Sequence, residues 1–366
     1  MGVDWTFFAI RPSIVISSLC YSIFRVEPYS ICTYQCIYCY ARWYRRNMSR
    51  YEVLKEWKKL VEKLSRADIP PPYFRLSTLV EPFQESLESK HYTSLEVMKL
   101  ACKYKVPLVI NTKSTLIRES PWIDVILSLA DEGLVLVQIS LITKNDDLSK
   151  ILEPNAPTPE SRLKVIEELR EHEVPVVARI QPLIPGIEDQ QLEVTDMALD
   201  HGSLGIIVEP LRETKDGVIR IAKVLGEEPR RYLREYQWEP YPSSLNKSNI
   251  FRPGLEWRKG IFTKIAQLTL KYGRIMSICK DGIWYNFSHY GLDCCQAWHM
   301  KSNYSIRRTL HEYLMKPEDI PKHIHLMDND DFMKYPRPIR RALKLHQNKL
   351  KKVLKRKDLL TKFMIS

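Results

Sequence analysis

Three cysteines in a stretch of eight residues, Cys32-Thr33-Tyr34-Gln35-Cys36-Ile37-Tyr38-Cys39, constrain this chain more than any other feature. At C-x3-C-x2-C spacing one loop can turn three thiolates toward a common centre. Thiolates are the ligands of iron–sulfur clusters, which usually take four cysteines. Three would leave one iron for a non-protein ligand. A structural zinc site commonly uses paired C-x2–4-C knuckles or histidines, and the first histidine in the chain is His91. A disulfide would leave an odd thiol. Three incidentally buried cysteines are the plain alternative.

The chain of 366 residues can bury a large core and carry one big domain and a smaller one. There is no run of about 18 apolar residues to span a membrane. Met1–Phe8 lacks the charged start and apolar core of a signal peptide. Eight cysteines, three of them set for redox-sensitive chemistry, point to a reducing cytoplasm. Scarce glycine and frequent proline would suit a heat-resistant protein. The net charge of +12 is uneven, because Lys301–Ser366 holds 17 Lys and Arg against 7 Asp and Glu. That asymmetry predicts a polyanion partner or a basic tail.

Along the chain, Ile14–Ser18 and Tyr21–Val26 read as short strands, the second feeding the cysteine loop at 27–42. Ser49 caps a predicted helix to about Leu64, which Ile69-Pro70-Pro71-Pro72 stops. Strands then alternate with helices: Tyr73–Thr78, Pro107–Thr112, Leu134–Ser140, Val174–Gln181 and Gly205–Glu209, with helices near Ser94–Tyr104, after Ser120-Pro121, after Thr158-Pro159 and near Gln190–Leu199. Leu141–Pro157 reads as irregular. The alternation predicts an α/β fold with a parallel sheet, a partial (β/α)6 TIM-like barrel over about 20–210. Residues 1–210 form the expected barrel unit, and 211–366 a basic, mixed and helical C-terminal region. Chemistry in such barrels gathers at the carboxyl ends of the strands. Those ends are Ser77-Thr78, Asn111-Thr112-Lys113, Ser140, Gln181 and Glu209.

C-x3-C-x-aromatic-C in this setting resembles the signature of radical S-adenosylmethionine (SAM) enzymes. Further residues narrow the resemblance to the spore photoproduct lyase-like group, whose members are often described as DNA repair photolyases. They are Glu27-Pro28-Tyr29, Cys39-Tyr40-Ala41-Arg42, Ser77-Thr78 with Glu81-Pro82 and Gln84, Thr112-Lys113-Ser114, Ser140 with Thr143, Leu152-Glu153-Pro154, Arg162, and Pro182 with Ile184-Pro185-Gly186. The resemblance spans Ser22 to Glu209. It implies that Cys32, Cys36 and Cys39 hold a [4Fe–4S] cluster. It implies that the cluster cleaves SAM to methionine and a 5′-deoxyadenosyl radical, with electrons from a ferredoxin or flavodoxin. By the same resemblance Ser77, Thr78 and Glu81 meet the methionine end of SAM, Lys113 and Ser140 make polar contacts to it, and Tyr38 approaches the adenine. True spore photoproduct lyases are expected to carry a hydrogen-donating Cys on the strand after the cluster. Tyr73–Thr78 has none, so that repair of the spore photoproduct itself would need another thiol here.

Past Glu209, Arg230–Trp238 and on to Trp257-Arg258 interleaves aromatic residues with Arg. Such a stretch either stacks on unpaired bases or packs as an ordinary helix with solvated Arg. Cys279, Cys294 and Cys295, with His289 and His299 near them, read first as core cysteines, and could otherwise bind a second cluster or supply the missing hydrogen donor. Against a shared metal, adjacent Cys294 and Cys295 are expected to point different ways. Cys20 and Cys102 read as structural. From Pro338 a basic amphipathic helix offers phosphate contacts or a solvated docking face. The resulting expectation is a radical SAM enzyme, lyase-like, acting on nucleic acid, with DNA lesion repair or base modification as its chemistry. The alternatives are a radical SAM enzyme modifying a peptide or small metabolite, and a non-enzymatic nucleic-acid binder with a structural metal site.

Overall fold

Ser13, Ser49 and Thr158 begin helices by the same device, a side-chain oxygen accepting from a backbone N–H of the first turn. The computed structural model describes residues 7–43, 49–242, 249–283, 293–314 and 320–361; Arg45, Arg46 and His289 lie outside them. Ile14–Ser18, expected as a strand, belongs to helix α1 (Ile14–Leu19), because the Ser13 cap outweighs the strand preference of its branched residues. Of Tyr21–Val26, only β1 (Arg25–Val26) is a strand. Helix α2 (Arg50–Leu64) carries the full capping box between Ser49 and Glu52.

Strand β2 (Phe74–Leu76) is followed by an unexpected short helix, α3 (Glu85–His91), and then by α4 (Thr93–Lys103). Next come β3 (Leu108–Thr112), α5 (Trp122–Asp131) and β4 (Val135–Leu141). Pro121 rather than Ser120 sits at the start of α5; the Ser120 hydroxyl instead donates to Asp124 at 2.5 Å. The stretch after β4 is not wholly irregular: Asn145 caps α6 (Asp146–Leu152). Then α7 (Pro159–Glu171), β5 (Val176–Leu183), α8 (Glu188–Asp200) and β6 (Gly205–Pro210) complete the expected alternation.

Beyond residue 210, β7 (Glu213–Thr214), α9 (Lys215–Val224), α10 (Pro229–Glu235), β8 (Glu239–Pro240) and β9 (Ile250–Arg252) follow, the three strands forming a small antiparallel sheet. Helix α11 (Leu255–Lys271) leads into β10 (Ile275–Ile278). This last strand pairs in parallel with β6, Met276 opposite Ile206. The main sheet is therefore seven-stranded, in the order β1-β2-β3-β4-β5-β6-β10, and every pairing in it is parallel. The fold is a partial (β/α) barrel with one strand more than the sequence pattern predicts.

Alternation along the strands divides two cores. Phe74, Leu108, Ile110, Val135 and Val137 join the large core that includes helix residues. Tyr73, Val109, Leu136, Val177 and Ile207 form a second buried cluster. The C-terminal region completes that cluster with Cys295, Ala297, Met300, Tyr304 and Ile306. Strands β11 (Tyr304–Arg307) and β12 (Ile324–Met327), paired in parallel, flank α12 (Leu310–Leu314). Helix α13 (Arg337–Leu354) packs against α1, and α14 (Lys357–Leu360) follows. His346 joins α1 and α13, with Nδ1 3.0 Å from Ser17 Oγ and Nε2 2.9 Å from the Ile10 carbonyl. The carbonyl can only accept, so Nε2 donates to it and Nδ1 accepts from Ser17. Ile339, Leu343, Leu350 and Val353 are buried, while Arg341, Lys344, Lys351, Lys352 and Lys355 are exposed. The basic tail is thus a docked helix that turns a cationic face to solvent. Among the described residues no helix is long and apolar enough to cross a membrane.

The Arg-rich aromatic stretch packs. Tyr232 is fully buried and donates to the Pro185 carbonyl at 2.8 Å. The Trp257 indole donates to Glu188, and Arg252 and Arg258 are buried on Asp281. These rings are not a free stacking platform.

Candidate active site

The carboxyl ends of the strands open into one cavity. Its walls include all three loop cysteines and each of Tyr38, Ser77, Thr78, Glu81, Lys113 and Ser140. Gln181 and Glu209, at the ends of β5 and β6, line it as well.

The cysteine loop is tied down on three sides. Gln84 accepts from Thr33 N at 2.7 Å and donates to the Ile31 carbonyl at 2.9 Å. Ile37 N donates to the Leu152 carbonyl at 3.0 Å, and the Asn155 amide to that of Thr33 at 2.7 Å. Gln35, at φ 53°, supplies the left-handed residue that the reversal between Cys32 and Cys36 needs. The three cysteines share the cavity as free thiols. Among the described residues, however, no three His, Cys, Asp or Glu side chains are gathered as a metal site. Burial raises Cys32 and lifts Cys36 to about 12.

Ser77 and Thr78 turn around Glu27. The Thr78 amide and hydroxyl donate to Glu27 Oε1 at 2.8 and 2.7 Å, and Ser77 Oγ lies 2.7 Å from Glu27 Oε2. Ser77 sits at φ 61°, an uncommon conformation for a residue with a Cβ, and one the four contacts to this carboxylate (Leu79 N is the fourth) over-determine. Glu81 is buried and accepts from Thr112 Oγ1, Lys113 N and Phe83 N. Burial raises its carboxyl despite those donors.

Lys113, Tyr38 and Arg162 converge on Glu153. Arg162 Nη2 lies 2.5 Å from Glu153 Oε2, Lys113 Nζ 3.6 Å from Oε1, and the Tyr38 hydroxyl donates to Oε1. Burial alone would raise the Glu153 carboxyl, but Arg162 and Lys113 carry it below its ordinary value. Arg162 also donates to the Ser140 carbonyl at 2.9 Å. Tyr38, expected to approach the adenine, lines the cavity, donates its hydroxyl to this carboxylate and lies in an apolar cluster with Ile142, Leu152 and Ile184.

A layer of cations went unread in the sequence. Arg75, Arg179, Arg212 and Lys280 also line the cavity. Two of them were within reach of the strand pattern: one step of period two below Ser77 and Gln181 gives Arg75 and Arg179. Lys280 follows β10, which the sequence gives as a strand at Arg274–Ile278 after a helix near Lys259–Tyr272 but does not place in the barrel.

Cys279, Cys294 and Cys295 are buried behind this layer and do not line the cavity. They do come together. Each of the three thiols shifts the titration of its neighbours: Cys294 lowers Cys279 and Cys295, and they raise it. Residue 294 keeps its proton, and its S–H, followed by Arg75 and Arg179, holds Cys295 down to about 5 against burial. His299 is not part of this group: burial and Arg274 and Arg170 lower it to about 4.

A partial parallel barrel with a three-cysteine loop at its mouth and a polar, charged cavity beneath defines an enzyme class. The profile of the Radical SAM superfamily matches residues 26–198, the part that holds the cysteine loop, and marks it as a domain of that superfamily of enzymes. It is 25% identical over 268 residues to an uncharacterized protein of Mycobacterium tuberculosis, covering 68% of this chain and 74% of that one. It is also 25% identical over 184 residues to an uncharacterized protein of Acidianus two-tailed virus, covering 48% of this chain and 58% of the viral one. Among solved structures, a spore photoproduct lyase variant with bound AdoMet and dinucleoside spore photoproduct superimposes with TM-score 0.52 at 13% identity, covering 76% of this chain and 80% of that one. Spore photoproduct lyase complexed with the dinucleoside spore photoproduct gives 0.50 at 14%, covering 70% and 76%. At these identities the likeness is one of fold.

Proposed function

We propose that this protein cleaves SAM with a [4Fe–4S] cluster held by Cys32, Cys36 and Cys39, and acts on nucleic acid as a lesion-repair or base-modifying enzyme. The observation that carries the reading is the shared cavity: the three thiols open onto the same space as the six polar and aromatic residues expected to seat SAM. The donor set fits the group, since three soft thiols on one anchored loop are what such a cluster takes. Bound there, the cluster would supply the electron that cleaves SAM, drawn from a ferredoxin- or flavodoxin-like donor.

The chain's own part is positioning and exclusion of water. Glu81 and Lys113 offer opposite charges for an ammonium and a carboxylate. Ser77, Thr78 and Ser140 add polar contacts, and Tyr38 closes the apolar side. Glu153 orients both Lys113 and Tyr38. Cys279 directly precedes the wall residue Lys280, with Cys294 and Cys295 buried beside it, and we assign the returning hydrogen to this group, Cys294 being the thiol whose proton is held most firmly. The barrel unit 1–210 handles SAM, and 211–366 meets nucleic acid through the exposed cations of α13, whose phosphate contacts would be sequence-blind. All eight cysteines are free, as the reducing cytoplasm we infer requires.

The test is anaerobic reconstitution with iron and sulfide, then reduction with SAM and ultraviolet-irradiated DNA, assaying 5′-deoxyadenosine. Cleavage that disappears in Cys36→Ala is expected. Tightly held zinc at this loop, or no cleavage from a reducible [4Fe–4S] protein with or without DNA, would overturn the reading.

A further inference from the structure

The cavity wall at the ends of β5, β6 and β10 carries more positive charge than the protein balances. Arg179, Arg212 and Lys280 all line the cavity. Residue 179 is 8% exposed, and the side chains of Arg212 and Lys280 are 14% and 9% exposed. Among the described residues, the carboxylate that pairs with Arg212 and Lys280 is Glu209. Arg212 Nη2 stands 2.6 Å and Lys280 Nζ 3.2 Å from the same Oε1. The Arg179 fork is met by neutral amide oxygens, Gln138 Oε1 at 2.7 Å and Gln181 Oε1. With Arg75, which also lines the cavity, four cations stand against the buried Glu209; behind them Cys295, held down to about 5, and the Cys279 thiol can add two more negative charges, so at least one positive charge stays in excess.

The cations are also fixed in place. The Arg212 guanidinium lies 5.0 Å from the Tyr40 ring centre and 4.9 Å from that of Tyr241, and Lys280 Nζ lies 5.4 Å from Tyr40. Such contacts orient a cation without neutralising it. Lys280 itself holds φ 56°, a backbone conformation that residues with a Cβ seldom adopt. An uncompensated charge in a buried wall is unfavourable unless something completes it. Here the open side is the cavity, and guanidinium forks match an oxyanion in two-point contact.

We propose that Arg179, Arg212 and Lys280 form a phosphate subsite that holds the phosphate of a nucleotide unit extruded into the cavity. This rests on the nucleic-acid reading above and adds to it the group recognised and the residues that recognise it. The sheet order places β2 and β3, which carry Ser77, Glu81 and Lys113, away from β6 and β10. The cofactor and substrate therefore have separate walls. A base to be modified has to leave its stack to reach such a pocket.

The experiment uses the full chain, reconstituted and with SAM present, and measures binding of thymidine 5′-monophosphate and of thymidine by calorimetry. The wild type is expected to prefer the monophosphate at least tenfold. Lys280→Gln and Arg212→Gln are expected to abolish that preference while thymidine affinity holds. A second readout separates this from a structural role. Without ligand, Lys280→Gln should melt higher than wild type, because a buried like charge is relieved, and inorganic phosphate should stabilise wild type alone. A lower melting temperature for Lys280→Gln with no phosphate effect on wild type would make the cations mere counter-ions of Glu209. Equal preference in wild type and variants, or loss of SAM affinity in place of monophosphate affinity, would equally overturn the subsite. Preference for acetate or an acidic peptide over the monophosphate would replace phosphate by carboxylate. The reading of SAM cleavage stands or falls separately, on 5′-deoxyadenosine from the wild type.

Discussion

Glu153→Gln removes the one charge on which Arg162, Lys113 and Tyr38 converge. The Glu153 side chain is 0% exposed and that of Arg162 1%, so the substitution leaves a guanidinium in the interior without its partner. Breaking a buried pair from one side costs about 3–5 kcal/mol, because the remaining charge keeps its desolvation penalty. Urea unfolding at pH 7, followed by circular dichroism and by tryptophan fluorescence, should show a loss of that size. The double variant Glu153→Gln/Arg162→Met should regain at least half of it, since an apolar side chain needs no counter-charge. Leu152 and Asn155 on either side hold the cysteine loop, so the single variant should also take up less iron on reconstitution. A loss below about 1 kcal/mol, the range of exposed pairs, would refute the reasoning. So would a double variant no more stable than the single one.

Burial, with Arg307 nearby, lowers His346 from 6.5 to about 3. The unfolded chain then binds the extra proton between those values, so stability is full above about pH 6.5 and falls on acidification toward about pH 3, by at most about 1.4 kcal/mol per pH unit. His346→Gln should flatten that slope, and urea midpoints between pH 7 and 4 measure it; identical slopes would refute it. For duplex DNA, changing Arg341, Lys344, Lys351 and Lys352 to Ala should reduce the dependence of log K on log salt by about 3 to 4. An unchanged slope in an anisotropy titration would remove α13 from the interface. Thiol hydrogens exchange with solvent, so product formed in D2O should carry deuterium, and Cys294→Ala should lose it while still forming 5′-deoxyadenosine. Undiminished deuterium, read by mass spectrometry, would exclude this thiol.

The parts of the site legible in the sequence are those with short-range signals. Three cysteines lie within one loop, and polar residues end apolar strands at Ser77, Lys113, Ser140 and Gln181; all line the cavity. Thr158-Pro159 and Ser49 mark helix starts by local hydrogen bonding. The parts that were not legible depend on distant partners. Ile14–Ser18 has strand composition and becomes a helix through its Ser13 cap and its packing on α13. Arg75 and Arg179 sit in stretches otherwise read as apolar strands, and only a barrel with a polar interior layer gives them a place. Cys295 joins Cys279 in one buried cluster from a separate part of the chain, with Cys294 buried beside it, which no local pattern announces.

The seventh strand also sets an order of events during biosynthesis. The cysteine loop leaves the ribosome early, whereas β10 emerges only after the whole α9–α11 segment. Until then β6 presents an unpaired edge, and Val177 and Ile207 lack the cover of Cys295, Ala297 and Met300. Such an edge is a template for aggregation. The nascent barrel therefore stays vulnerable until most of the chain has been made. On the proposal above, a cluster at Cys32, Cys36 and Cys39 would be loaded after release, once Lys280 and its neighbours have completed the wall of the same cavity.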